Sequence, residues 1–265
     1  MKKFLLASAA AIAFASGAQA ADLGVARVPV AAAVIAPAGF SWTGFYLGAH
    51  IGYGWGNTRF DSALTDLFTN NGIASPNHNT SGMVLGGQFG WNYQVNQFVF
   101  GLEASLAWAN LNGSRNYVDF NGVGSGTLSV NTRMNWVATM GPRLGFAVDR
   151  ALIYGKGGFA AAGFNSGLSV SGSRGGFGDF DGRGSFARGG WFLGAGVEYA
   201  FAPNWSAKLE YNYLDFGRGN WNAAQIPLGQ TAISIGTPAR LTAHTVTLGV
   251  NYLFTSGPSA VVARY

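Results

Sequence analysis

The amino-acid sequence predicts an all-β protein, an eight-stranded antiparallel transmembrane β-barrel, on three observations. First, residues 246–254 alternate without a break. Val246, Leu248, Val250, Tyr252 and Phe254 point one way, and Thr247, Gly249, Asn251 and Leu253 the other. That is the period of a strand with one oily face, and seven earlier segments repeat it. Second, the connections between these segments are alternately tight and long, as in barrels with short periplasmic turns and long outer loops. Third, the aromatic side chains sort into two belts at the two ends of the segments.

Composition points the same way. The chain has 41 Gly, 14% aromatic and only 10% charged residues, where a soluble domain carries about 25% charged residues and about 7% Gly. The absence of Cys removes disulfides and thiolate metal sites together. The net charge of +5 is scattered rather than clustered among aromatics, so no nucleic-acid partner is expected. Met1-Lys2-Lys3, an apolar run to about residue 14, and Ala18-Gln19-Ala20 form a secretory signal over 1–20. No stretch reaches the about 20 apolar residues of a membrane-spanning helix. A membrane-embedded chain must therefore close its backbone hydrogen bonds as a barrel.

Residues 21–41 are Ala/Val/Pro-rich and are expected to be a periplasmic lead-in to a barrel over 42–254. The first strand, about 42–55, puts Phe45, Leu47, Ile51, Tyr53 and Trp55 outside, with Gly44, Tyr46, Gly48 and His50 inside. The second, about 83–93, faces Leu85, Phe89, Trp91 and Tyr93 outward and Gln88 and Asn92 inward. The third, about 98–109, turns Phe98, Phe100, Leu102, Leu106 and Trp108 out and Glu103 in. In the fourth, about 129–146, parity sends Met134, Trp136, Met140, Leu144 and Phe146 out, and Arg133, Asn135, Thr139 and Arg143 in. Alanine and glycine blur the fifth, about 152–164. With Lys156 inside, Ile153 and Phe159 face out. The sixth, 191–201, has Trp191, Leu193, Val197, Tyr199 and Phe201 out and Glu198 in. The seventh, 205–216, has Trp205, Leu209, Tyr211 and Tyr213 out, and Lys208, Glu210 and Asn212 in. The eighth starts near Leu241. Tight turns fall near 94–97, 147–151 and 202–204. Long loops are expected at about 56–82, 110–128, 165–190 and 217–240.

The inward charges are thus Glu103, Arg133, Arg143, Lys156, Glu198, Lys208 and Glu210. A barrel of eight strands is just wide enough for its own side chains. Buried charges must pair, so these seven are expected to form a lumen network. The competing use is the lining of a narrow polar pore with one net positive charge. A catalytic use would need a serine and a carboxylate beside a histidine. His50 faces the lumen, His244 faces out, and His78 lies in the first long loop near Asp61, Asp66, Ser75 and Ser81. Sequence proximity of that kind is not geometry, and no catalytic residue is assigned. Asp179-Phe180-Asp181-Gly182 lacks the closing Glu of a calcium loop, and no metal or cofactor is expected.

Trp42-Thr43-Gly44-Phe45-Tyr46-Leu47-Gly48, then Gly141-Pro142-Arg143-Leu144-Gly145-Phe146 with Tyr154 and Gly157-Gly158, then Glu210-Tyr211 and 244–254, occur in order. The chain in this respect resembles the small alphaproteobacterial outer-membrane β-barrel proteins, the porin-family surface antigens related to the OmpA barrel. The resemblance implies insertion by the outer-membrane barrel assembly machinery, with Tyr252 and Phe254 as the assembly signal. Where that family closes on the aromatic, this chain continues as a tail over 255–265. The expectation is a non-enzymatic structural component of the cell outer membrane. It would be exported through the periplasm, be embedded among lipid and lipopolysaccharide, and present outer loops. The alternatives are a narrow porin-like channel for small solutes and a surface binding or adhesion protein meeting haem, host or lipopolysaccharide. Oligomeric state is left open by the sequence.

Overall fold

The computed structural model describes residues 40–60, 78–118, 127–171, 180–228 and 231–254. They form β1 (Gly44–Phe60), β2 (His78–Val95), β3 (Phe98–Val118), β4 (Thr127–Val148), β5 (Ala151–Ser171), β6 (Phe180–Ala202), β7 (Trp205–Leu228) and β8 (Thr231–Phe254). Each strand pairs antiparallel with the next, and β8 returns to β1, with Phe45 opposite Phe254 and Ile51 opposite Leu248. Closure leaves neither sheet edge open to lipid, where an unpaired N–H or C=O costs several kcal/mol.

The burial pattern is that of a soluble protein turned inside out. Leu102 is 56% exposed and its neighbour Glu103 4%. Phe89, Leu106, Met140, Leu144, Ile153, Leu193 and Leu248 are likewise exposed large apolar residues around the whole circumference. A water-soluble monomer does not expose an apolar band of this extent. A hydrocarbon layer is the solvent that fits it.

Three tight turns close one end of the barrel, the end expected from the sequence to be periplasmic. Asn96 and Asp149 adopt φ of 55° and 51°, a left-handed conformation that Asn and Asp tolerate better than most residues. Each turn is tied to the following hairpin. Ala147 N–H donates to the Gln97 carbonyl at 2.7 Å, Ala200 N–H to Arg150 at 2.8 Å, and Leu253 N–H to Asn204 at 2.7 Å.

The strands run longer than expected, from 17 residues in β1 to 24 in β7 and β8. A tilted crossing takes about 9–11 residues. The rest continues past the outer aromatic belt as paired ribbon, so much of the expected loop regions is strand. Stretches such as 165–171 and 180–190 are rich in Gly, Ser and Asn, a composition that suggests loop. They nevertheless pair residue for residue, Asn165 with Ser185 and Gly167 with Arg183.

At the other end Trp42 is not the first residue of a stave. Its backbone N–H donates to Gln94 Oε1 at 2.7 Å, and its indole, fully buried, fills the periplasmic mouth with Phe40 edge-on at 5.0 Å. The expected signal 1–20, most of the lead-in, the tail 255–265, and Asp61, Asp66, Ser75 and Asp179 lie outside the described residues.

Inside the barrel the packing is layered. A periplasmic apolar cluster joins Trp42, Tyr46, Val99, Leu152, Tyr154 and Leu253. An outer apolar cluster joins Val84, Leu111, Met134, Phe164, Phe192 and Phe216, among others. Single strands show the order directly. On β5 the inward residues read Leu152 and Tyr154, then Lys156, then Ala160, Ala162 and Phe164. The polar layer lies between the two apolar ones.

Candidate functional site

The middle layer is built by the strand period. Glu103, Arg143, Lys156, Glu198, Lys208 and Glu210 sit on inward positions of β3 to β7, and all are buried. Lys156 Nζ donates to Glu103 Oε1 at 2.5 Å and stands 2.8 Å from Glu210 Oε1. Lys208 Nζ reaches the same two carboxylates, at 3.4 Å to Glu103 and 3.2 Å to Glu210. Arg143, fully buried, forms an ion pair with Glu198 and lies 3.5 Å from Glu103 Oε2. Three cations therefore face three carboxylates, and the six charges sum to zero.

Neutral side chains complete the shell. Tyr46 O–H donates to Glu103 Oε2 at 2.7 Å and accepts from Arg143 Nη1 at 3.1 Å. Tyr154 O–H donates to Glu210 Oε2 at 2.8 Å, and its ring lies 3.6 Å beneath the Arg143 guanidinium. Glu198 Oε1 accepts from Ser206 Oγ at 2.5 Å and from Asn251 Nδ2 at 2.7 Å. Gln88 then links Asn251 to His50, at 2.6 and 2.5 Å. A buried ion pair offsets its desolvation only when its remaining lone pairs and protons are also satisfied. Residues from all eight strands meet most of that demand here, and Arg143 Nε is the guanidinium nitrogen left without a partner.

Glycine makes room for the two tyrosines. A Cβ on Gly196 would meet Tyr154 Cζ and OH at 2.6 Å, and one on Gly90 would meet the Tyr46 ring at 2.5 Å or closer. The tyrosines can cross the lumen only because the facing positions carry no side chain. Inward parity marked Tyr46, Gln88, Asn212 and Asn251, but nothing in the sequence says that these particular residues meet the charges.

Arg133 is the one expected network member that the structure places elsewhere. A bulge sets Met134 opposite Phe164 and Trp136 opposite Gly163, so β4 carries one residue more than β5 there. The extra residue reverses parity above it. Met134 turns into the outer apolar cluster, and Arg133 turns out to an exposed position. It lines a polar groove of about 820 Å³ on the outer side of β4–β6 with Asn131, Asn165, Asp181 and Arg183. The charge surplus expected for the network goes with it.

The histidines do not form a catalytic set. His50 Nδ1 is held by Gln88. His244 faces outward, stacked 5.6 Å from Trp55, with its Nδ1 2.7 Å from the Tyr211 hydroxyl. His78 begins β2 rather than lying in a loop; it is buried and faces inward, whereas Ser81 faces out. Ser206 donates to a carboxylate and is not presented to a substrate. The chemistry open to this arrangement is mutual neutralisation. Among the described residues, a lumen cavity lined by His50, Ser105, Thr139, Lys208 and Asn212 measures about 30 Å³, and one beside Thr58, Met134 and Phe216 about 10 Å³. The larger holds about one water.

A family model described as outer membrane protein beta-barrel domain matches residues 6–254. The 31 kDa outer-membrane immunogenic protein of Brucella melitensis is 33% identical over 261 residues, covering 96% of this chain and 100% of the relative. The 25 kDa outer-membrane immunogenic protein of Brucella abortus is 25% identical, covering 96% of this chain and 99% of that protein. The 22 kDa outer membrane protein of Rhizobium leguminosarum is 32% identical over 186 residues, covering 69% of this chain and 68% of that protein.

Proposed function

This chain belongs to the outer membrane protein beta-barrel domain family and resides in the cell outer membrane, and on that footing we propose that it is a closed, non-enzymatic structural barrel of the envelope. The observation that carries the reading is the three-layered lumen. Two apolar clusters cap a charge-balanced network, and the cavity described beside that network is of single-water size. An ion crossing this lumen would have to break buried pairs and then pass an apolar layer with nothing to solvate it. The channel reading is therefore set aside. An enzyme would need a nucleophile or base free to act, and the buried carboxylates here are all engaged with cations or hydroxyls.

Assembly belongs to the same proposal. Tyr252 and Phe254 end β8 on the lipid-facing side, edge-on at 5.0 Å, with Trp205 against Tyr252 at 5.2 Å. We assign this aromatic cluster as the signal read by the barrel assembly machinery. The structural role is tested in a strain lacking the protein. Increased sensitivity to detergent with unchanged uptake of small solutes is expected. Slowed solute uptake with an intact permeability barrier would contradict it.

A further inference from the structure

A chain of hydrogen bonds runs from the charged layer to His50, and chemistry fixes its direction. Glu198 is ion-paired with Arg143, and an ionised carboxylate only accepts. Asn251 must therefore offer it an N–H, and Nδ2 donates to Glu198 Oε1 at 2.7 Å. That leaves the Asn251 side-chain oxygen as an acceptor, and Gln88 Nε2 donates to it at 2.6 Å. Gln88 then has only its carbonyl oxygen to present to His50, so His50 Nδ1–H is the donor of the last bond, at 2.5 Å. A neutral imidazole carries one N–H, and with Nδ1 holding it, Nε2 is left with a bare lone pair. The relay has room because Gly48 has no side chain. A Cβ there would meet Asn251 Oδ1 and Gln88 Nε2 at 2.5 Å or closer.

His50 also lines the single-water cavity of the lumen, and no described residue hydrogen-bonds its Nε2. The surroundings have no counter-charge to spare for a proton there. Gly249 on β8 stands opposite both His50 and Lys208, so no side chain separates the imidazole from the Lys208 stem, whose Cγ and Cε would lie 3.2 Å from a Cβ on that glycine. Lys208 and Glu210 of β7 face His50 around the cavity, and Lys156 of β5 acts on it across the lumen. The cavity wall from β3 and β4 is Ser105, Ala107, Val137 and Thr139, without a charge. Glu210 already serves Lys156, Lys208 and Tyr154. Glu103, Arg143 and Glu198 are likewise engaged. A protonated His50 would set four cations against three carboxylates in a site of low polarity, where an unmatched charge is costly.

We propose that His50 is the proton-binding site of the plug and acts as an acid-sensitive latch, held in the Nδ1–H form by the relay from Glu198. The Nε2 lone pair takes a proton from solvent by way of the cavity, Nδ1 keeps its own, and the charge of the layer rises from zero to plus one. Acid therefore shifts the equilibrium from the sealed plug toward a loosened one in which the imidazolium is hydrated. The latch rests on the sealed-lumen reading and adds the condition under which the seal weakens.

Two measurements on the refolded mature protein in non-ionic micelles test the latch. Nitrogen NMR spectra of labelled histidine, with the His50 signal identified by its loss in His50→Asn, should show the proton on Nδ1 at neutral pH. A proton on Nε2 instead would overturn the relay. The urea midpoint is then followed with pH in wild type and in His50→Asn, whose amide nitrogen replaces the Nδ1–H donor but binds no proton. Between about pH 8 and about pH 5 the unfolding equilibrium constant of wild type should rise about tenfold more than that of the variant, because only the unfolded or loosened chain takes up the His50 proton freely. His78 and His244 are present in both proteins, so their titration cancels. The same pH dependence in wild type and folded His50→Asn would overturn the proposal. Should His50→Asn not fold, His50→Gln, equally uncharged, takes its place with the same two outcomes. Steady current through wild type in a planar bilayer at neutral pH would strike the sealed-lumen reading itself, a result distinct from a sealed barrel whose pH dependence survives the loss of His50.

Discussion

Glu103 is the residue on which the lumen turns. Its carboxylate meets Lys156, Lys208, Arg143 and the Tyr46 hydroxyl at once. Removing it leaves buried cations short of a partner, a change that costs about 3–5 kcal/mol in comparable buried pairs. Glu103→Ala should lower the urea midpoint of the folded barrel by that amount. Exchanging the pair together, Glu103→Leu with Lys156→Met, should cost much less, because no charge is then stranded. Equal losses for the single and the paired change would mean that the network is not electrostatically coupled.

Arg133 is the contrasting residue. Being exposed outside the barrel wall, Arg133→Gln should stay within about 0.5 kcal/mol of wild type in the same unfolding measurement. A loss of several kcal/mol would return it to the lumen.

At the scale of the strand, the bulges decide what alternation alone cannot. Where strands follow strict period two, as in β1 and in β7 as far as Asp215, inward and outward residues can be assigned from the sequence. Lys208, Glu210 and Tyr211 fall as that period requires. Shifts of register between Trp108 and Leu111, between Met134 and Trp136, and between Asp215 and Arg218 each reverse parity toward the outer end. A single inserted residue changes neither composition nor hydropathy, which is why alternation alone places Met134 outside and Arg133 inside. Gly217 is the nearest thing to a signal, since glycine takes a φ of 65° with less strain than any residue bearing a Cβ. Gly217→Ala should cost about 1–2 kcal/mol by the same urea measurement. An unchanged midpoint would show that the bulge relaxes into regular strand.

Strand β8 carries its own test. Phe254→Ala should slow insertion into the outer membrane, followed by the appearance of the heat-shifted band, while deletion of 255–265 should leave it unchanged. Insertion blocked by the tail deletion alone would move the assembly signal out of β8.

The fold of the whole molecule was legible because hydrocarbon imposes one simple rule, apolar side chains outward on every stave. The extent of the paired ribbons above the membrane was not, because water satisfies a Gly- and Ser-rich backbone as well in a loop as in a strand. Nor was the layering of the lumen. Which inward side chains meet depends on tilt and stagger, so the partnership of Arg143 with Glu198, or of Tyr154 with Glu210 across from Gly196, exists only once the sheet has closed. Closure converts scattered charges on separate strands into one neutral plug between two apolar caps. Single-channel recording tests most directly whether this plug seals the barrel. Refolded protein whose heat shift proves a closed barrel is added to a planar bilayer. No conductance is expected, for wild type or for Arg133→Gln. Steady, discrete conductance steps that change when Glu103 or Lys156 is neutralised would contradict the claim and make the same six charges the lining of a pore.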